Sequence, residues 1–498
     1  MKKSKTRNVE ENDIIAGQEA LELKKAKSKQ AKKFRSKVMA ITWIFIILFF
    51  FMSGYICYIA LTNEQELAEN PYNSFQQILM EQNTRGRILA GGGEILAETI
   101  TDINGRESRV YPYGNLFAHV VGYSTHGRAG IEAEMNYFLI QSNITLPQKA
   151  TNGNLGQKNA GDSVRTTLRV DLQDVASRAL GVYKGAVIVT EPQTGRILAM
   201  VSKPDFVPAE IPALWDDLVN STESSILLNR VTQGLYPPGS TFKIITALEY
   251  IRRNNQNINS YSYNCTGHYS ANGLRINCFR GISHGRIDFT TSFAKSCNAS
   301  FANIGEFLDE KLFRETLDEL LFDEVLPFSL PYNRSRIDLN SDTTPAEMMQ
   351  ITIGQGRTQI TPFHLNMITG AIANDGILMR PYLYEAVVNE NGANVRRYSS
   401  TTEKRMISEE EAAVLKKLME SVVLDGTATR LRGLSYSAAG KTGSAEFGNV
   451  KGVSHAWFTG YAPAENPQIC VTIIIEGAGS GGDYAVPIAK RIFDAYFD

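Results

Sequence analysis

From Val38 to Asn63 the chain runs for 26 residues without a charged side chain, and a helix of about 20 apolar residues already crosses the hydrocarbon core of a bilayer. A single transmembrane helix over residues 38–63 is the direct reading. A cleaved signal peptide fits less well, because the apolar run is too long and no Ala-x-Ala pattern follows Ala60. The flanks set an orientation. Eight Lys or Arg lie between Lys24 and Lys37, whereas Glu64 and Glu66 follow the span, so the positive-inside rule predicts a basic cytoplasmic tail over residues 1–37 and an extracytoplasmic body. The whole chain has 51 Lys plus Arg against 52 Asp plus Glu, a net charge of -1. The tail carries twelve basic and five acidic residues, leaving a net of -8 for the rest. A general nucleic-acid binder is thereby excluded. With 43% hydrophobic and 21% charged residues the body is neither disordered nor polytopic. Five cysteines among 498 residues exclude a disulfide-stapled scaffold.

Past the span, residues 64–155 are short-patterned and turn-rich, with Gly91-Gly92-Gly93, Asn104-Gly105 and Pro112 as punctuation. They predict a small mixed membrane-proximal module. The Gly/Asn/Gln-rich stretch 151–161 reads as a linker or exposed loop, and residues 156–498 as a second, larger domain. Its first elements, Gly185–Thr190 and Arg196–Val201 around a Gln193-Thr194-Gly195 turn, predict a hairpin. Helical patterns dominate from Thr241 to about Gly370, and strands return near 435–476, where Val471-Thr472-Ile473-Ile474-Ile475 is too short to span a membrane and reads as a buried strand. A final helix is expected to start at Pro487. The fold class is α+β.

Three motifs carry chemistry. Pro237-Pro238-Gly239-Ser240-Thr241-Phe242-Lys243 opens an amphipathic helix. Its i, i+3 spacing stacks Ser240 and Lys243 on one face, so a neutral lysine could take the serine proton while the helix N-terminus favours the alkoxide. Alone, Ser-x-x-Lys is more often a capping serine followed by a solvated lysine. Ser296-Cys297-Asn298 and Lys441-Thr442-Gly443-Ser444 follow in order, the latter on a strand-like run. The ordered set Ser-x-x-Lys, Ser-x-Asn, Lys-Thr-Gly marks serine enzymes that react with penicillin.

With those motifs the chain resembles class B penicillin-binding proteins, single-span peptidoglycan D,D-transpeptidases of the bacterial cell wall. Supporting the likeness are Ile353-Gly354-Gln355-Gly356, Asp425-Gly426-Thr427-Ala428 and Ala456-Trp457-Phe458-Thr459-Gly460-Tyr461, with Arg85-Gly86-Arg87-Ile88 and Tyr111-Pro112-Tyr113 in the membrane-proximal module. Where many members read Asp-Arg, this chain has Ala90 and Gly91, so no pedestal salt bridge is carried over. The resemblance implies a pedestal module followed by a penicillin-binding, serine β-lactamase-like domain with a central antiparallel sheet flanked by helices. It further implies Ser240 as nucleophile toward D-Ala-D-Ala stem peptides and β-lactams, Lys243 as base, Ser296 as proton relay with Lys441, and Asn298 as a brace for Lys243 and substrate. Thr442, Gly443 and Ser444 would bind substrate: Thr442 the terminal carboxylate, the Ser240 and Ser444 N–H groups the oxyanion. A polytopic membrane glycosyltransferase is the implied partner, engaged in elongation, division or sporulation.

Other features carry less. Gly477–Gly482 lacks the Gly-Lys-Ser/Thr ending of a phosphate loop. Cys265-x2-His268 with Cys278 and His284 has a loose metal-ligand look, but its intervals differ from the usual zinc patterns. The expectation is therefore no metal and no cofactor, an ordinary hairpin, a disulfide between Cys265 and Cys278, and Cys297 and Cys470 as packed thiols. The competing functions are a D,D-carboxypeptidase or β-lactamase that resolves the acyl-enzyme with water, and a non-catalytic membrane sensor or scaffold.

Overall fold

Five strands bury nearly every side chain they contain: β1 Gly185–Thr190, β2 Ile197–Lys203, β3 Ala439–Glu446, β4 Ser454–Ala462 and β5 Ile469–Ile475. Strands buried this uniformly must be covered on both faces. In the computed structural model, which describes residues 3–62, 74–220, 225–447 and 453–498, they form one antiparallel sheet in the order β3-β4-β5-β1-β2. Helices Val170–Leu180 and Gly481–Phe497 pack on one face, and the almost wholly buried Pro362–Ala373 on the other. The hairpin read from the sequence is β1–β2, and Val471–Ile475 lies in buried β5.

Within the stretch 241–370, where helical patterns dominate, four short strands, Ser262–Cys265, His268–Ala271, Leu274–Asn277 and Gly285–Asp288, form two antiparallel pairs, one of them the expected hairpin. One expectation is corrected: the last helix begins at Gly481, with Pro487 inside it. Proline removes the N–H that would bond the Asp483 carbonyl. That carbonyl instead accepts from Arg430 Nη1 at 3.4 Å, so the acceptor is not orphaned.

The N-terminal unit is a helix, Lys3–Thr62, that contains the apolar run and continues through the basic stretch. Its apolar part, residues 38–62, spans about 37 Å at about 1.5 Å per residue, enough to cross a bilayer core. Among the described residues it is the helix long and apolar enough to do so, a single-pass anchor. Residues 63–73, including Glu64, Glu66 and the expected start of the membrane-proximal module, lie outside the described residues.

The body from Gln77 onward is one compact unit. Residues 151–154 are not linker but the end of the helix Leu146–Asn154, which is exposed as expected. Strand Ser163–Thr166 then lies in a six-stranded sheet between Ile88–Leu89 of the membrane-proximal module and Tyr384–Val388 of the larger domain. A continuous apolar core runs from Ile88 to Phe493 across the expected 155/156 boundary.

The pedestal does hold a buried ion-pair network, built from residues outside the Ala90-Gly91 position. Glu132 is fully buried; its Oε1 accepts from Arg109 Nε and its Oε2 from Arg85 Nε, both at 2.7 Å. Arg85 also donates to Asn136 Oδ1 at 2.6 Å. Burial alone would push the Glu132 carboxyl up, but Arg85 and Arg109 together outweigh it and hold the group below the ordinary carboxylate value of 4.5. A depressed carboxylate contributes stability above its unfolded value and loses it as pH falls through the lower folded one. Glu132→Gln leaves two buried guanidiniums short of a counter-charge and should cost about 3–5 kcal/mol. Thermal unfolding should show a clear fall in melting temperature at pH 7, and the gap to wild type should shrink only well below pH 4.5; an unchanged melting temperature would make the network dispensable.

Candidate active site

Ser240 sits in a one-turn 3-10 segment, Gly239–Phe242, that leads directly into the helix Lys243–Arg253. The turn requires glycine before the serine. Gly239 has φ 54°, and a Cβ there would lie 2.7 Å from the Ser444 carbonyl oxygen. Gly239 N–H donates to Gly354 O at 2.9 Å. Gly354, at φ 72°, comes so close that its own Cβ would meet the Gly239 oxygen at 2.0 Å. The Ile353–Gly356 motif is thus the buttress under the serine turn.

The Lys243 side chain is fully buried and donates to Ser296 O at 2.8 Å, Asn298 Oδ1 at 2.6 Å and Ser296 Oγ at 3.3 Å. From β3, the equally buried Lys441 donates to the same Ser296 Oγ at 2.9 Å and to Thr442 O at 3.1 Å. Ser296 has φ 56°, a left-handed conformation uncommon for a residue with a Cβ. Asn298 Nδ2 anchors the far side on Asn277 O at 2.9 Å. Among the described hydrogen bonds none joins Lys243 to Ser240; the direct pair expected from the i, i+3 spacing is replaced by a lysine tied to the Ser-x-Asn turn.

Electrostatics follow from burial. Desolvation pulls Lys243 down to about 8, with Cys297 and Cys278 acting in the opposite direction. Lys441 is held well below its ordinary value by burial and then by the charge of Lys243. Two desolvated ammonium groups bridged by one hydroxyl favour the neutral form of one of them.

Ser240, Ser296, Asn298, Thr442, Gly443 and Ser444 all line one open cavity of about 330 Å³. Edge strand β3 forms a wall of it, paired to β4 on one side only. Sequence reasoning quoted Thr427 but gave it no role. In the structure its Oγ1 lies 2.5 Å from Thr442 Oγ1, facing the cavity. Arg430 and Asp483, paired at 3.1 Å, sit on the rim and were missed; neither belongs to a recognisable local motif.

The cysteine expectation is corrected too. Cys265 and Cys278 are free thiols with sulfurs 3.6 Å apart. His268 is not their partner; Cys297 and His284 are, the four ligand atoms lying within 4.8 Å of one another. Cys470 is a buried thiol beside Asn366, as expected.

A serine on a helix N-terminus, a buried low-basicity lysine, a second lysine across a shared hydroxyl and an open edge strand define a serine acyl-transfer site. Residues 185–494 match the penicillin-binding protein transpeptidase domain, and residues 85–164 the penicillin-binding protein A dimerisation domain. The chain belongs to the penicillin-binding protein transpeptidase family, as a class B member with an anchor and pedestal. It is 30% identical over 462 residues to the peptidoglycan D,D-transpeptidase PbpA of Mycolicibacterium smegmatis, covering 86% of this chain and 92% of that protein. Among solved structures it is similar to the penicillin G acyl-enzyme complex of penicillin-binding protein A from M. tuberculosis (TM-score 0.75, 27% identity, 84% of this chain and 100% of that one). It is also similar to the D,D-transpeptidase domain of a peptidoglycan glycosyltransferase from Eggerthella lenta (TM-score 0.76, 29% identity, 84% and 98%).

Proposed function

We propose that this protein is a peptidoglycan D,D-transpeptidase working through a Ser240 acyl-enzyme, with Lys243 as its base. Ser240 Oγ attacks the carbonyl of the penultimate D-Ala of a stem peptide, and neutral Lys243 takes the hydroxyl proton. The C–N bond to the last D-Ala breaks, and Ser296, with Lys441 behind it, passes a proton to the leaving amine. An amine from a neighbouring strand then attacks the ester, forms the cross-linking amide and frees the serine. The N–H groups of Ser240 and Ser444 hold the oxyanion, worth about 3 kcal/mol per donor in comparable enzymes. Thr442, with Thr427 beside it, takes the terminal carboxylate. Asn298 braces Lys243, and Gly443 lets the substrate lie along β3.

The observation that carries this reading is the unbroken chain Lys243–Ser296–Lys441, in which no carboxylate bonds either amine among the described residues. A second observation favours transpeptidation over hydrolysis: the carboxylate lining the cavity among the described residues is Asp483, already engaged by Arg430. Among the described residues lining the cavity, no unpaired carboxylate is placed to activate a deacylating water. All the motif residues being gathered also argues against a scaffold that merely keeps the fold.

Penicillin should therefore acylate Ser240 and remain. Mass spectrometry of the full chain should place a stable adduct on the peptide holding Ser240, absent in Ser240→Ala; rapid drug turnover without adduct would favour the hydrolase. Because the neutral fraction of Lys243 rises with pH up to about 8, acylation should increase about tenfold per pH unit below that value and flatten above it. A flat profile from pH 6 to 9 would remove Lys243 as base.

The carboxylate role is tested separately. Thr442→Val should slow acylation by penicillin and by a D-Ala-D-Ala mimic together, about tenfold or more. Equal rates for mimics with and without the carboxylate in the wild type would contradict it.

The functional division we assign is a cytoplasmic tail at 1–37, the anchor at 38–63, a pedestal at 64–155 and the acyl-transfer domain at 156–498, with the body outside the cell membrane. The pedestal is too small for a polymerase of ordinary size. New glycan must come from a membrane-embedded glycosyltransferase, which the apolar helix and pedestal would engage. Replacing residues 38–63 with an unrelated span should abolish co-purification with that polymerase while penicillin labelling persists; unchanged pairing would reduce the helix to a tether.

A further inference from the structure

The segment that carries Asn277 and supports Asn298 has almost no core of its own. Its satellite apolar cluster consists of Cys265, Cys278, Ile287, Cys297 and Ala299, so three of five members are thiols. Its strands are four residues each, and few of their residues are buried. Such a patch needs a staple beyond hydrophobic burial.

The side chains converge with metal-site geometry. Cys265 closes one strand, Cys278 follows another, His284 immediately precedes a third, and Cys297 caps the helix Asn298–Gly305. Sulfur separations are 3.6 Å for Cys265–Cys278 and 3.7 Å for Cys278–Cys297; His284 Nδ1 lies 3.3 Å from the Cys265 sulfur. A tetrahedral zinc with Zn–S of about 2.3 Å and Zn–N of about 2.0 Å sets ligand edges of about 3.8 Å between sulfurs and about 3.5 Å from sulfur to nitrogen. Backbone donors already point at all three sulfurs: Gly267 N–H at Cys265 and Ser300 N–H at Cys297, each at 3.4 Å, and Ala299 N–H at Cys278. N–H groups aimed at sulfur stabilise thiolates, the form that binds metal.

We propose that Cys265, Cys278, His284 and Cys297 hold one structural zinc ion that fixes the Ser296–Asn298 turn and one wall of the cleft. Three thiols release their protons to solvent as the ion binds, and the neutral imidazole supplies the fourth bond, leaving a centre of net charge -1. Four protein ligands close the coordination shell, so the ion has no open position for chemistry. Its effect is positional. Cys297 lies between Ser296 and Asn298, the two residues that hold Lys243. On the other side, Phe279, Ile282 and His284 line the cavity, so the metal ties the loop 279–284 to the same point.

Metal content tests this without reference to Ser240 chemistry. Full-length protein purified in detergent without chelator or added metal should contain about one zinc per chain by plasma mass spectrometry. Cys278→Ser and Cys297→Ala should fall below about one-tenth, while His284→Cys and the distant Cys470→Ser retain it. Should the cysteine variants not fold, chelation of wild type serves. The melting temperature should drop by several degrees and penicillin acylation at least tenfold, both restored by zinc and not by magnesium. Wild type with less than about a tenth of an equivalent of zinc, or a recovered Cys265–Cys278 disulfide, would overturn the proposal, as would full zinc occupancy in both cysteine variants.

Discussion

Two buried lysine amines meet on one serine hydroxyl, and the chemistry of the cleft depends on that arrangement. Lys243, Ser296 and Lys441 come from a helix, a turn and a strand far apart in sequence, and the contacts of 3.3 Å and 2.9 Å exist only when those three elements are packed together. Desolvation works against both charges at once. A carboxylate in this place would have stabilised two ammonium groups and left no base. Its absence among the described partners, with Phe301 and Phe293 rings against the amines at 5.4 Å and 5.6 Å instead, leaves Lys243 poised near 8.

The sheet determines where that pair is presented. Strands β4 and β5 are sealed on both faces and on both edges, so the free backbone of the sheet next to Ser240 is the outer edge of β3. An open edge is ordinarily a liability for aggregation. Here it faces a cavity that the serine turn and the Ser-x-Asn turn close from the other sides, which makes it a template for an extended peptide. Three interior hydroxyls satisfy one another: Thr369, Thr459 and Thr472 pass hydroxyl bonds of 2.7 Å from the covering helix through β4 to β5. That ladder fixes the helix Pro362–Ala373 on the sheet in one position.

What could be read from the sequence was what a local pattern encodes. A charge-free run long enough to cross a bilayer, continuous apolar strands, and Ser240 and Lys243 one helical turn apart each state their structure within a few residues. Tertiary compensation leaves no such trace. Pro487 reads as a helix start because proline breaks the local bond; that Arg430 takes over the Asp483 carbonyl is invisible from residues 481–497. Ala90-Gly91 offers no charge for a pedestal salt bridge, yet Glu132 supplies a buried one from a helix about forty residues later. Thr427 stood in a recognised string, but its place against Thr442 depends on how the string folds beneath β3.

Cys297 shows the same limit from inside a motif. In Ser296-Cys297-Asn298 the outer two side chains turn toward Lys243, so the middle one must turn away from it. Its identity answers to whatever packs behind the turn, not to the reaction in front. A fully buried thiol there, with two further thiols and an imidazole within reach, ties the position of the cleft residues to a patch that has little apolar core. A turn held at positive φ by Ser296 needs such over-determination from its surroundings. The residue that reads as a spacer in the cleft thus becomes the point through which the small strands 262–288 act on the geometry of Lys243.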